Sequence, residues 1–171
     1  MRCVRLLVGG VRSGKSNYAV EIAKNSFKKI SFLATSEALD SEMQQRIEKH
    51  KKSRPKEWET IEENINITST FNSIGDDDLL IVDCLGLWIS NLMMKDYGED
   101  KIKKEIEKLV DEVNKINFEI IFVSNEVGMG IVPDSYSGRI FRDHLGLLNQ
   151  AIAKIADEVI FMLAGIPVKI K

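Results

Sequence analysis

Residues 9–16 read G-G-V-R-S-G-K-S. Gly9, Gly14, Lys15 and Ser16 fill the G-x-x-x-x-G-K-[ST] pattern without a mismatch. The chemistry such a run does is phosphate binding. Positions without side chains let backbone N–H groups close around a phosphate chain, and a helix starting there presents its positive dipole end to the anion. Lys15 would reach the β- and γ-phosphates, and the Ser16 hydroxyl would join the shell of a Mg²⁺ ion. The context suits this, because Val4–Val8 read as a strand and Asn17–Lys24 as the helix that follows. The pattern predicts a bound nucleoside triphosphate.

Other polar residues stand in similar places, each directly after an apolar run. Leu79-Leu80-Ile81-Val82 ends in Asp83, Ile30–Ala34 leads into Thr35-Ser36-Glu37, and Ile120–Val123 leads into Ser124-Asn125-Glu126. Asp83 suits a Mg²⁺ ligand, direct or through water, beside a phosphate loop; the same residue also serves many buried strands as a helix cap. Glu126 opens a second glycine-containing loop that runs to Pro133. It is a candidate general base or an outer ligand of magnesium, or a loop carboxylate without a role.

The segment from Asp40 to Ser53 reads as a helix with Asp40 as its N-cap. Met43, Ile47 and His50 share one face at helical spacing, so His50 points inward with the apolar residues. Arg46, Lys51, Lys52 and Arg54 surround it in sequence, and Pro55 closes the segment. Neighbouring cations favour a neutral imidazole, which is the nucleophilic form. A structural histidine beside a solvated basic face fits the same residues. His144, next to Phe141 and Leu148, reads as structural. Trp88, Met93 and Met94 read as core packing.

The elements that must position these groups are legible from hydrophobic runs. Arg5–Val8, Ile30–Ala34, Leu79–Val82, Ile120–Val123 and Val159–Leu163 are continuous rather than alternating, as strands buried on both faces of a parallel sheet are. Helical stripes lie between them: Ile102, Ile106, Leu109, Val110, Val113 and Ile116, then Phe141, Leu145, Leu148, Ile152 and Ile155. Gly165 and Pro167 turn the chain into a last short run, Val168–Ile170. Strand alternating with helix predicts an α/β fold of one domain, residues 1–171. Ligands of open parallel sheets lie at the carboxyl ends of the strands, where four of these runs deliver their polar residues.

The 171 residues carry a net charge of −2, which gives no whole-chain reason to expect nucleic acid or an anionic membrane as partner. No apolar stretch approaches a membrane span, and the N-terminus enters strand and phosphate loop at once, leaving no room for a signal peptide. Cys3 and Cys84 both lie beside apolar strand residues and read as buried small hydrophobes rather than a disulfide or metal site. The expectation is a cytoplasmic protein.

Taken together, the chain resembles the bifunctional adenosylcobinamide kinase/adenosylcobinamide-phosphate guanylyltransferases of cobalamin biosynthesis. The resemblance runs from end to end. It is carried by G-G-V-R-S-G-K-S at 9–16, A-T-S at 34–36, R-I-E-K-H-K-K-S-R-P at 46–55 with Trp58 and Glu62, V-D-C-L-G-L-W-I-S-N-L at 82–92, N-E-V-G-M-G-I-V-P at 125–133, F-R-D at 141–143 with N-Q at 149–150, and G-I-P-V-K-I-K at 165–171. The phosphate loop alone marks a superfamily; the His-Lys-x-x-Arg-Pro segment with N-E-V-G-x-G-I-V-P is far more specific.

The resemblance implies a RecA-like P-loop domain, with a mainly parallel sheet as the middle of three layers and helices on both faces. It implies a homotrimer with sites near subunit interfaces. It implies phosphorylation of the corrinoid substrate adenosylcobinamide by a nucleoside triphosphate, GTP or ATP, and then transfer of GMP from GTP onto that phosphate. The family's guanylylated histidine falls on His50. Nucleotide contacts fall on Gly9, Gly10, Val11, Arg12, Ser13, Gly14, Lys15, Ser16, Thr35, Ser36, Glu37, Lys51, Lys52, Ser53, Arg54, Glu62 and Asp83, with Ser16 and Asp83 the expected magnesium ligands. Gly86 departs from the pattern, standing where the family more often has a hydroxyl residue. Two other readings use fewer of these residues: a kinase of another small alcohol with His50 structural, and a non-catalytic nucleotide-sensing module.

Overall fold

The computed structural model describes residues 2–37, 44, 51 and 55–171. Its strands are β1 (Cys3–Gly9), β2 (Ile30–Ala34), β3 (Glu59–Glu62), β4 (Leu79–Asp83), β5 (Glu119–Asn125), β6 (Glu158–Leu163) and β7 (Ile166–Lys169). Its helices are α1 (Lys15–Lys24), α2 (Leu85–Met94), α3 (Glu99–Val113) and α4 (Tyr136–Ile155), with a 3-10 segment at Ile67–Ser73. One sheet takes the strands in the order β3-β2-β4-β5-β1-β6-β7. Every pairing is parallel except β6 with β7.

The continuous apolar runs are explained by this arrangement. All five residues of β2 and the first four of β4 are buried. Alternate side chains enter two different cores: Val4, Leu6 and Val8 of β1 pack with α2, α3 and α4, whereas Leu7 packs with Ala19 and Ala23 of α1. Helices therefore cover both faces, as the expected three layers require. Burying each large aliphatic side chain contributes about 1.5–3 kcal/mol relative to exposure, so packing dominates over the ion pairs at the surface. A half-buried exception ties strands together at the amino end of the sheet. Arg5 of β1 donates to Glu119 of β5 at 2.9 Å and to Glu158 of β6 at 2.7 Å.

Strands form at each of the apolar runs. β3 is not foreshadowed, because Glu59, Thr60 and Glu62 are exposed and only Ile61 faces inward. As an edge strand it is paired on one side only. The stripe of α3 also ends early: the helix stops at Val113, and Ile116 is buried from the following turn.

Candidate functional site

The phosphate loop joins β1 to α1 and is held from two sides. Gly9 cannot be replaced without displacement, since a Cβ there would stand 2.5 Å from the Met162 carbonyl oxygen of β6. Gly14 adopts φ +94° and precedes α1, whose first turn no side chain caps. Its free N–H groups and dipole are then available to an anion. The β6–β7 hairpin turns through Ala164 (φ +52°) and Gly165 (φ +84°), the two-residue geometry that matches strand twist. From that turn the Gly165 N–H donates to the Ser13 carbonyl at 3.1 Å.

Lys15 is buried beneath this loop, with its ammonium donating to the carbonyls of Gly9 (3.0 Å) and Gly10 (2.7 Å). Burial lowers its pKa from the ordinary lysine value, and the nearby Cys84 and Asp83 oppose that shift. Lys15 and Asp83 thus lie within electrostatic reach of each other although β5 separates their strands. Ser16 is half-buried at the start of α1, Ser13 is buried, and Val11 and Arg12 are exposed at the loop's crown. Arg12 also adopts a positive φ, +55°.

The ends of β2, β3 and β4 are pinned into one ledge. Ala34 is level with both Glu62 and Asp83. Thr35 is fully buried; its hydroxyl donates to the Cys84 carbonyl at 2.8 Å and accepts from the Cys84 N–H at 2.9 Å. The Asp83–Cys84 peptide at this junction is cis. The Asn91 amide donates to the carbonyls of Thr35 (2.7 Å) and Asn64 (3.1 Å), and the Trp88 indole donates to the Ile65 carbonyl at 2.8 Å. Ser36 and exposed Glu37 project beyond this clamp, and the Asn64 amide donates to Glu37 at 2.9 Å. The Thr35 hydroxyl is therefore already committed to backbone, and it positions Ser36 and Glu37. Glu62, at the end of β3, pairs with Lys51.

On the other side of Asp83, the end of β5 is locked to the phosphate loop by the Glu126 N–H, which donates to the Gly9 carbonyl at 2.9 Å. The Glu126 carboxylate accepts from the N–H groups of Gly128 and Met129 and so shapes its own loop. Arg142 of α4 closes that loop by donating to the Gly128 carbonyl at 2.9 Å. A cavity of about 390 Å³ opens behind it, lined by Val8, Phe161, Glu126, Arg142, Asn149 and Gln150 among others.

Gly9 to Ser16, Thr35 to Glu37, Glu62, Lys51 and Asp83 are thus all found on the segments at the carboxyl edge of the sheet or paired with them. His50, Lys52, Ser53 and Arg54 lie outside the described residues, as does most of the helix expected from Asp40. His144 is buried between α3 and α4, as a structural histidine should be, and neither ring nitrogen has a hydrogen-bond partner. Cys84 is a buried free thiol whose Sγ caps α2 at Leu87 N–H, and burial pushes its pKa up to about 12. Two expectations need correction. Cys3 is only half-buried, because it sits at the amino end of β1, and Met94 is half exposed at the last turn of α2 while Met93 packs on the core. The sequence gives no role to Asn91, an amide within a helix, and places Asn125 in the strand-end run Ser124-Asn125-Glu126 without a role of its own.

A phosphate loop closing over a buried lysine, with an acid from the next strand but one within electrostatic reach, defines a P-loop nucleotide-binding protein. Comparison narrows the class. The model of the cobinamide kinase / cobinamide phosphate guanyltransferase family matches residues 5–170, and the chain belongs to that family. It is 40% identical over 167 residues to the bifunctional adenosylcobalamin biosynthesis protein CobP of Pseudomonas aeruginosa, covering 97% of this chain and 96% of that one. It is 37% identical over 180 residues to the bifunctional adenosylcobalamin biosynthesis protein CobU of Escherichia coli K12, covering 97% and 98%. Among solved structures, a KaiC-like protein of Pyrococcus horikoshii OT3 superposes with a TM-score of 0.50 at 16% identity, covering 93% of this chain and 70% of that chain. That likeness concerns the fold alone, and it agrees with the expected RecA-like P-loop architecture.

Proposed function

We propose that this chain carries both reactions for which its family is named: phosphorylation of adenosylcobinamide by a nucleoside triphosphate, then transfer of GMP from GTP to the resulting phosphate with release of pyrophosphate. The observation that carries the reading is the convergence of Lys15, Asp83 and the ledge of β2 and β3 on one sheet edge, within a chain related to bifunctional enzymes over nearly its whole length. Phosphoryl transfer needs positioning and charge neutralisation more than covalent chemistry. Lys15 supplies charge next to the loop N–H groups. In the second reaction His50 attacks the α-phosphorus of GTP, pyrophosphate leaves, and the phosphoramidate is displaced by the cobinamide phosphate.

Nucleotide contacts are assigned to residues 9–16, to Thr35–Glu37, to Lys51, Lys52, Ser53 and Arg54, and to Glu62 and Asp83. Mg²⁺ fits Ser16 and Asp83. Among the described residues no cluster of three carboxylate, histidine or cysteine groups exists, and magnesium characteristically takes one or two protein oxygens with phosphates and water completing its shell. When bound, the ion neutralises phosphate charge; Ser16 and Asp83 hold it in place.

The assembly is proposed to be a homotrimer. Supporting this, Val11 on the phosphate loop, Met129 and Ile131 on the loop after β5, and Leu163 and Ile166 at the β6–β7 turn are large apolar residues exposed around the site. A cytoplasmic location is supported by two free cysteines. No helix among the described residues is long and apolar enough to cross a membrane. The test is product analysis: adenosylcobinamide, ATP, GTP and Mg²⁺ should give adenosylcobinamide phosphate and then adenosylcobinamide-GDP. Recovery of unchanged corrinoid alongside demonstrated GTP binding would reject the reading.

A further inference from the structure

The geometry points to Asn125 as a catalytic residue of the phosphoryl-transfer step, its side-chain amide donating to the terminal phosphoryl group as that group passes to the acceptor alcohol. The inference rests on the proposed two-step reading. It begins from strand order. β5 lies between β1, which carries the phosphate loop, and β4, which carries Asp83. Asn125 is the last residue of β5 and is level with Gly9, while Val123 is level with Asp83.

One carbonyl fixes the neighbourhood further. The Gly9 oxygen accepts both the Lys15 ammonium at 3.0 Å and the N–H of Glu126, the residue after Asn125, at 2.9 Å. The end of β5 is thereby placed beside the lysine that reaches for phosphate. The strand end is also rigid. Asn149 of α4 accepts from the Ser124 hydroxyl at 2.5 Å and donates to the Asn125 carbonyl at 3.0 Å.

Against this fixed backbone the Asn125 side chain is uncommitted, making no hydrogen bond among the described residues and being only half-buried. It reaches toward the start of α2. A Cβ at Gly86 would stand 3.3 Å from its Nδ2. Glycine at 86, the position that departs from the family pattern, leaves that amide its room just beyond Asp83.

In the step assigned, the acceptor oxygen bonds to the γ-phosphorus and the bond to the β–γ bridging oxygen breaks. The electron pair leaves with the nucleoside diphosphate, and the hydroxyl proton is released to water. A fixed neutral donor aimed at the moving phosphoryl oxygens stabilises that transfer without repelling them. GMP transfer breaks the α–β bond instead, so it does not call on this contact.

The two half-reactions therefore separate the roles. Asn125→Ala should slow phosphorylation of adenosylcobinamide by about 10²-fold, the usual cost of one such donor. GTP affinity, and guanylyl transfer started from supplied adenosylcobinamide phosphate, should remain close to the unsubstituted enzyme. Asn125→Leu, which keeps the shape, adds no charge and loses the donor, should behave alike and guards against a folding artefact. Full-rate phosphorylation by Asn125→Ala, or equal loss of both half-reactions together with GTP affinity, would overturn the assignment. Absence of phosphorylation by the unsubstituted enzyme would instead overturn the two-step reading, and this inference with it.

Discussion

Gly165 donates its backbone N–H to the Ser13 carbonyl at 3.1 Å, so the turn of the β6–β7 hairpin braces the phosphate loop from outside. Ser13 and Gly165 are far apart in sequence, and the brace depends on a left-handed conformation, φ +84°, that suits glycine. Gly165→Val should cost about 1–3 kcal/mol in local strain and loosen the loop. Calorimetric titration should show GTP affinity falling about tenfold, equivalent to about 1.4 kcal/mol. Gly165→Asn, which tolerates that conformation, should recover most of the affinity.

Lys15→Met removes the cation from beneath the loop while keeping a side chain of similar reach. Both half-reactions should fall by at least about 10²–10³-fold, because both need phosphate charge neutralised at the same place. Initial rates for the two steps, measured separately, check this. Preservation of either step would mean that a different group binds its nucleotide.

Thr35→Val should act on stability first. The hydroxyl bonds both the N–H and the carbonyl of Cys84; valine leaves the buried N–H unpaired at about 1–3 kcal/mol, while the carbonyl keeps the Trp88 N–H at 3.2 Å. Thr35→Ser should restore most of the loss. Denaturant unfolding of the three proteins provides the comparison.

His144 predicts an acid limb in stability. Burial lowers its pKa below the ordinary 6.5; Glu99 and Asp143 oppose that shift, and Lys103 reinforces it. The unfolded chain therefore takes up a proton in a pH range where the native protein does not. Stability should fall as pH drops below 6.5 and be independent of this group above it. His144→Leu should flatten that part of the profile, seen in denaturation midpoints between about pH 5 and pH 7.

Much of this could be read from the chain. Parallel strands buried on both faces announce themselves as unbroken apolar runs, and the phosphate loop carries its chemistry in its spacing. β3 was illegible because one inward residue, Ile61, makes no pattern. The insertion of β5 between β1 and β4 was illegible because strand order is set by crossovers, which leave no local signature. That order is what brings Asn125 beside Lys15. Likewise nothing in the sequence shows that the Thr35 hydroxyl is bonded to a backbone junction 49 positions away.

The central claim is that one chain performs phosphoryl and guanylyl transfer, the latter through His50. The most direct measurement is incubation of the protein and its His50→Ala variant with Mg²⁺ and GTP radiolabelled at the α-phosphorus, followed by denaturation. The account predicts an acid-labile, alkali-stable label on the unsubstituted protein that is absent from the variant and is discharged by adenosylcobinamide phosphate. Equal labelling of both proteins, or none on either despite demonstrated GTP binding, would contradict it.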